Sequence, residues 1–311
     1  MIERPEPIFI VGVSQRAGTH FLYDLLTQHP DCVRALEADD ETQGAWEDYL
    51  LDRAAPLLRY RSELSSIWSA TGLDGPAMGD RLLAALGGGL SGFLQDLSRG
   101  CDDSARGRPV TKTPAAGHLD LFPRLWPHAD LILIVRDPRA VVASATKTFG
   151  GLPERWVRIW LEGARSILGF MAAHPDRASL VRYEDLVTDL EGTLRPVVEQ
   201  LGLDATRFDF PAAGALPARG SSVVASAGLA WQAVPVTDIG DPLVRGVGLP
   251  PRLVRRIAWL AGDEMEALGY DASPGCGSQR GLRAAGQRAR DARWVLGRVG
   301  YRALRRPASR R

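Results

Sequence analysis

Residues 129 to 135 read Ala-Asp-Leu-Ile-Leu-Ile-Val, an almost unbroken apolar run closed by Arg136. A strand with one wet face would alternate apolar and polar side chains. A short continuous run marks a strand covered on both faces, the situation of a parallel sheet between helices. A second run, Ile8-Phe9-Ile10-Val11, passes through Gly12 and a short polar stretch into Thr19-His20-Phe21-Leu22, which has the spacing of an amphipathic helix. Two buried strands, each leading at once into a helix, require an α/β fold with a central parallel sheet flanked by helices.

The turn between Gly12 and Thr19 carries the first chemistry. A tight glycine-containing loop there aims backbone N–H groups and a helix N-terminus at one spot, which suits a phosphate-like anion. Arg16 adds a positive charge, and Thr19 and His20 add side-chain donors. A phosphorylated or sulfated nucleotide is the expected ligand. Two known loop types are excluded. A Walker A loop needs Gly, four residues, then Gly-Lys-Ser/Thr. Here Gly12 and Gly18 enclose five residues, and Thr19 follows Gly18 with no lysine between. The G-x-G-x-x-G dinucleotide pattern is absent as well. After the second strand, Pro138 can start a helix, and Ser144 falls about two turns along it. Arg136, at the strand end, offers a fork of donors to a phosphate.

Taken together, Arg16-Ala17-Gly18-Thr19-His20 and Arg136 with Ser144 resemble the two nucleotide motifs of sulfotransferases that use 3′-phosphoadenosine 5′-phosphosulfate (PAPS). The first is similar to the family's 5′-phosphosulfate loop, usually Lys or Arg-Ser-Gly-Thr-Thr, with Ala17 for Ser, His20 for the second Thr and one extra residue after Gly12. The second is similar to its 3′-phosphate motif. Lys112-Thr113-Pro114 resembles a Lys-x-Pro element, and Arg182-Tyr183-Glu184-Asp185-Leu186 the family's Arg-Tyr-Glu-Asp-Leu strand end. Arg219-Gly220-Ser221-Ser222, followed by Trp231, resembles a late loop over the nucleotide. Ala230 stands where relatives often carry a basic residue, which makes Arg219 the anchor of that loop. Leu268-Gly269-Tyr270-Asp271 is similar to the closing element of the domain, so the resemblance runs from residue 6 to 272.

The resemblance implies a P-loop-like three-layer fold and sulfuryl transfer from PAPS to a hydroxyl acceptor, leaving adenosine 3′,5′-bisphosphate (PAP). It assigns cofactor binding to Arg16, Ala17, Gly18, Thr19, His20, Phe21, Arg136, Ser144, Tyr183, Arg219, Gly220 and Ser221, and it needs no metal. Tyr183 has a competing role as a ring packed under the sheet, and Trp231 one in packing the flap rather than stacking on adenine. Arg16 and Lys112 are the groups expected to stabilise charge on the leaving phosphate. Glu37, 21 residues after Arg16, stands where some relatives, the tyrosylprotein sulfotransferases among them, place a catalytic glutamate. It is the expected base, with Asp39 or Asp40 next and His20 and His118 as rivals.

Composition bounds the rest. At 311 residues the chain accommodates a sulfotransferase domain over 1–278 and an Arg-rich tail over 279–311. Residues 31–109 are expected to form a mainly helical acceptor-side insertion, broken at Gly87-Gly88-Gly89, and 207–250 a flap that closes over the cofactor. The stripe Trp156, Ile159, Trp160, Ala164 and Ile167 belongs to a helix packed on the core. Cys32, Cys101 and Cys276 are odd in number and lack metal-ligand spacing, which suggests a reducing compartment. With no membrane-length apolar run and no leader pattern, a cytoplasmic enzyme is expected. Lysine occurs only at 112 and 147, a bias expected of a high-GC bacterial coding background that leaves Lys112 conspicuous. Residues 280–311 hold 11 arginines and one acid, Asp291, in a chain of net charge +1. Such a tail is either solvated or applied to an anionic membrane surface; nucleic acid is disfavoured by its few aromatics. A glycolipid, saccharide or secondary-metabolite alcohol all fit as acceptor, and the oligomeric state is open. A P-loop-type kinase and a non-catalytic membrane-binding protein are the alternatives.

Overall fold

The computed structural model describes residues 6–35, 56–101, 107–216, 218–219, 223–225, 228–230, 233–234, 248–272, 285–286 and 288–294. Five parallel strands form the central sheet: β1 (Ile8–Gly12), β2 (Cys32–Arg34), β3 (Arg108–Thr113), β4 (Asp130–Val135) and β5 (Ala178–Arg182), in the order β2-β3-β1-β4-β5. The helices are α1 (Thr19–Leu26), α2 (Pro56–Ala70), α3 (Gly75–Cys101), α4 (Phe122–Leu125), α5 (Pro138–Phe149), α6 (Pro153–Ala173), α7 (Tyr183–Thr188), α8 (Leu190–Gln200), α9 (Phe210–Gly214) and α10 (Pro251–Ala267). Four two- or three-residue strands between 218 and 234 pair as two small antiparallel ribbons within the segment expected to form the flap.

The apolar runs work on both faces, as their composition requires. Phe9, Val11, Leu131, Leu133 and Val135 join a core with α4, α5, α6 and α10. Their neighbours Ile8, Ile10, Ile132 and Ile134 join another with α1 and α8. Each fully buried Ile or Leu contributes about 1.5–3 kcal/mol relative to exposure. The sandwich of helix, parallel sheet and helix is the three-layer α/β architecture that the resemblance implies.

Two expectations are corrected. The described residues of 31–109 are mainly helical, but they also supply β2, which extends the sheet beside β3. The Gly87-Gly88-Gly89 run does not break a helix; α3 passes through it from Gly75 to Cys101. Gly87 is there because the helix presses against α4: a β-carbon would sit 2.9 Å from Leu125 Cα, and Trp126 Nε1 donates to the Gly87 carbonyl at 3.1 Å. The main chain needs the missing side chain for contact, not for a turn.

Near the C-terminus, Asp291 accepts from Arg158 of α6 (2.8 Å) and Arg256 of α10, while Arg158 lies 5.1 Å from the Trp294 ring. Arg256 also donates to Glu154 at 2.6 and 2.9 Å. The single acid of the Arg-rich tail thus fastens its helical stretch to the domain. Among the described residues no helix is long and apolar enough to cross a membrane.

Candidate functional site

The strand order puts β1 between β3 and β4, so three polar turns emerge side by side at the carboxyl ends of the central strands. In open α/β sheets ligands bind in this crevice, at the topological switch point. The first turn is Val13–Gly18. Val13 N–H donates to Ile134 O (2.9 Å), carrying the sheet one residue past β1, and Ala17 N–H closes the loop onto Ser14 O (3.3 Å). Gly18 is the N-cap of α1 with φ 104°, and no side chain caps that end. A helix start without a side-chain cap is of the kind that accepts an anion. Arg16 itself has φ 71°, a left-handed conformation costing a non-glycine residue about 1–2 kcal/mol. The loop holds this strain while turning the arginine toward the next strand.

The second turn is Arg136-Asp137 at the end of β4. Arg16 Nε donates to Ser144 Oγ on α5 at 2.9 Å, and Arg136 Nη1 donates to the Arg16 carbonyl at 3.0 Å. Arg136 is buried, its guanidinium carbon 4.1 Å from the Tyr183 ring centroid, and its Nε has no hydrogen-bond partner. Its carbonyl accepts from Trp160 Nε1 of α6 (2.8 Å). Asp137 caps α5, accepting from Arg139 N–H at 2.7 Å, and its own N–H donates to Glu184 Oε1 at 3.0 Å. Glu184 Oε2 accepts from Tyr270 Oη, also at 3.0 Å. Burial pushes the Glu184 carboxyl above the usual range against the pull of the Asp137 N–H, the Arg136 charge and the Tyr270 hydroxyl. The Tyr270 phenol is pushed well up, by burial first and then by the Glu184 charge.

The third turn follows β3. Lys112 pairs with Ile10, is buried, and lies on the α1 side with Nζ 5.7 Å from the Tyr23 ring. Pro114 abuts the loop: a β-carbon on Gly12 would lie 3.4 Å from Pro114 Cα and 2.6 Å from Thr19 Cγ2. Tyr183 packs so closely under Gly18 that a β-carbon there would run into its ring. Its ring is also the one beneath Arg136, so one tyrosine floors two turns. Phe21 turns its ring into the core toward Tyr183, leaving its main chain for a ligand.

The sequence-derived set is thus brought together in part. Arg16, Ala17, Gly18, Thr19, His20, Phe21, Arg136, Ser144 and Tyr183 belong to the first two turns, the helices that start there or their floor, and Lys112 lies within β3, one residue before its end. Arg219 lies on a two-residue strand of the flap segment. Glu37, Asp39, Asp40, Gly220, Ser221 and Trp231 lie outside the described residues. His118 is exposed, and its carbonyl accepts from Leu121 N–H in the turn before α4. Lys147 is exposed in the last turn of α5. Among the described residues no cluster of three or more His, Cys, Asp or Glu is placed to hold a metal.

Residue-by-residue reading missed four contributors: Trp160 and Gly163 on α6, and the Glu184–Tyr270 pair. Gly163 had a signal. A glycine inside an otherwise strong helical pattern costs about 1 kcal/mol against alanine and so calls for a packing reason. Here the reason is Val13: a β-carbon on Gly163 would lie 2.8 Å from the Val13 carbonyl carbon and closer still to its oxygen.

Several solved structures are similar to this chain. The sulfotransferase domain from the Synechococcus PCC 7002 olefin synthase is 25% identical, covering 65% of this chain and 74% of that one, with TM-score 0.43. Sulfotransferase STF9 from Mycobacterium avium is 14% identical over 86% of this chain and 78% of its own, with TM-score 0.46. Mouse sulfotransferase SULT7A1, solved in complex with PAP, is 13% identical over 84% and 85%, with TM-score 0.43. No curated protein sequence matches significantly. The family model described as "Sulfotransferase family" matches residues 7–207, a span that contains the Val13–Gly18 loop, Lys112, the Arg136 turn and Tyr183. On that match, over well more than half its length, the chain belongs to the sulfotransferase family and is an enzyme of that class.

Proposed function

We propose that the chain moves a sulfuryl group from PAPS to a hydroxyl-bearing acceptor. The observation that carries this reading is the meeting of Arg16 with Ser144 at 2.9 Å, under an Arg136 bonded to the Arg16 carbonyl. Residues 128 positions apart, assigned by resemblance to the two phosphate ends of one nucleotide, converge at one point. Two features fit a polyanion there. The N-terminus of α1 has no side-chain cap, and Arg136 keeps a buried Nε without a partner.

PAPS, when bound, supplies a sulfuryl group joined to a phosphate that leaves as PAP. Arg136 and Ser144 hold its 3′-phosphate. The main chain of Ala17–Phe21, with Arg16, holds the 5′ end, and Arg219, Gly220 and Ser221 close over it. Tyr183 acts from below, supporting Arg136 and Gly18. Arg16 and Lys112 oppose the charge that grows on the departing phosphate oxygen; such donors matter most in a water-poor site that is already organised. Glu37 accepts the proton of the acceptor hydroxyl. The exposed Arg288, Arg290 and Arg293, with Asp291 bonded to Arg158 and Arg256, fit a solvated tail and one applied to an anionic membrane alike.

Calorimetry with PAP tests the nucleotide assignment. Binding by the wild type, weakened about 100-fold or more in Arg136→Ala, is expected. No binding at millimolar PAP overturns the reading. Sulfuryl transfer from labelled PAPS to a panel of saccharide, lipid and small-alcohol acceptors then identifies the acceptor class.

A further inference from the structure

The Glu184–Tyr270 pair sits outside every role assigned above, yet its geometry is that of a device. Three consecutive residues at the end of β5 address the neighbouring turn. Arg182 lies 4.6 Å from the Tyr270 ring centroid, Tyr183 lies under Arg136, and Glu184 bonds both the Asp137 N–H and the Tyr270 hydroxyl. Glu184 is 2% exposed and Tyr270 5% exposed. Both donors point to the carboxylate, which suits an acceptor-only group. The N–H that Glu184 takes belongs to the N-cap of α5, the helix that carries Ser144. Tyr270 follows α10, beyond residue 207 where the family match ends. The segment after α10 thus reaches back to Glu184, 86 residues earlier, and through it to the Arg136–Asp137 turn.

We propose that Glu184 and Tyr270 are positioning residues: a buried carboxylate–phenol pair that sets the Arg136–Asp137 turn, and through it the placement of Arg136 and Ser144 against an anion. This rests on the reading of Arg136 and Ser144 as the 3′-phosphate subsite. Neither residue touches the ligand. Each acts through the peptide between Arg136 and Asp137, whose two sides are bonded by Trp160 on the carbonyl and Glu184 on the N–H. Releasing the N–H side leaves the peptide held by Trp160 alone, so it can tilt and shift the guanidinium against its contacts with the Arg16 carbonyl and the Tyr183 ring. A displacement near 1 Å at a positioned group is worth up to about 100-fold, and a partial release about 10-fold.

The test compares PAP with 5′-AMP, the same nucleotide without the 3′-phosphate, by calorimetry. Tyr270→Phe removes one hydroxyl at constant volume. It is expected to weaken PAP about 10-fold while AMP changes less than about 2-fold. Glu184→Ala is expected to do the same more strongly. Glu184→Gln, which keeps an acceptor for Asp137, is expected to restore PAP affinity to within about 3-fold of wild type. Val198→Ala, a buried change on α8 in the opposite core, lowers the melting temperature without altering the PAP/AMP ratio. Equal loss for PAP and AMP, no loss for PAP, or failure of Gln to do better than Ala overturns the positioning role. A wild type that binds PAP and AMP alike overturns the subsite assignment itself, and the positioning role with it. If Tyr270→Phe does not fold, the contrast between Glu184→Ala and Glu184→Gln decides the matter.

Discussion

Gly163→Ala is a one-carbon change in the middle of α6 that should damage the nucleotide site without touching it. On helix propensity alone alanine would stabilise by about 1 kcal/mol. The structure predicts the opposite. The new β-carbon would lie 2.8 Å from the Val13 carbonyl carbon and 3.4 Å from Val13 Cα, both main-chain atoms with no rotamer to adopt. Optimal carbon separations begin near ~3.5 Å, so α6 and the loop must part by roughly 0.7 Å, more if the carbonyl oxygen is to be cleared. Overpacking of this kind costs about 1–3 kcal/mol, leaving a net loss of up to about 2 kcal/mol after the propensity gain. The loop strand is pinned on its other side by Val13 N–H on Ile134 O, so the shift is expected to pass into Ser14–Gly18. PAP affinity should fall about 10- to 100-fold. Urea unfolding gives the stability change and calorimetry the affinity. Gly169→Ala, on the same helix with open space around its Cα, is the control and should gain or hold stability. A Gly163→Ala protein as stable as wild type with unchanged PAP affinity would refute the packing argument.

Other outcomes follow from the same structure. Arg16→Ala should lower turnover about 100-fold or more, measured with labelled PAPS, because in the proposed reading it removes a charge that opposes the one growing on the leaving phosphate; turnover within a factor of three would exclude that role. Burial acts to raise the Glu154 carboxyl, but hydrogen bonds and charges from Arg256 and Arg158 outweigh it and hold the group below its usual 4.5. A depressed folded value means that this cluster stabilises fully above pH 4.5 and fades as pH falls below it. Unfolding scans should therefore show an acid loss that Glu154→Gln lacks, and parallel profiles would contradict it. Cys32 is pushed up to about 12 by burial, with Arg108 pulling the other way. Peptide-resolved alkylation at pH 8 should label Cys32 at least about 100-fold more slowly in the native protein than in urea.

Much of the architecture was legible because it is written in local patterns. The double-sided apolar runs at Ile8 and Ala129 announced buried parallel strands, and Pro138 announced the helix that brings Ser144 beside Arg16. What was not legible depends on contact between distant segments. Nothing near Cys32–Arg34 distinguishes a three-residue edge strand from a loop; its partner, Arg108–Val110, decides it. The Gly87–Gly89 run reads locally as a break, and only the approach of α4 shows why its first member is glycine; Gly88 and Gly89 have open space around them. Glu184 and Tyr270 each stand in a sequence motif, but nothing in either motif says that the two meet. For the candidate site, the charged residues Arg16, Lys112 and Arg136 were singled out from their motifs, whereas the contacts that hold those motifs in place were not. Positioning depends on which backbone atom lies within reach, and no residue type signals that.

Trp160 and Gly163 stand three residues apart on α6, a little under one turn, with a rise of about 4.5 Å. One meets the main chain of the Arg136 turn, the other that of the Val13 turn. In the proposed reading these turns take opposite ends of the nucleotide. The distance between the two phosphate seats is then kept by a rigid rod below both, not by two independent loops. Such a rod acts as a gauge: it favours nucleotides by the span between their charges and penalises those with the right groups at the wrong separation.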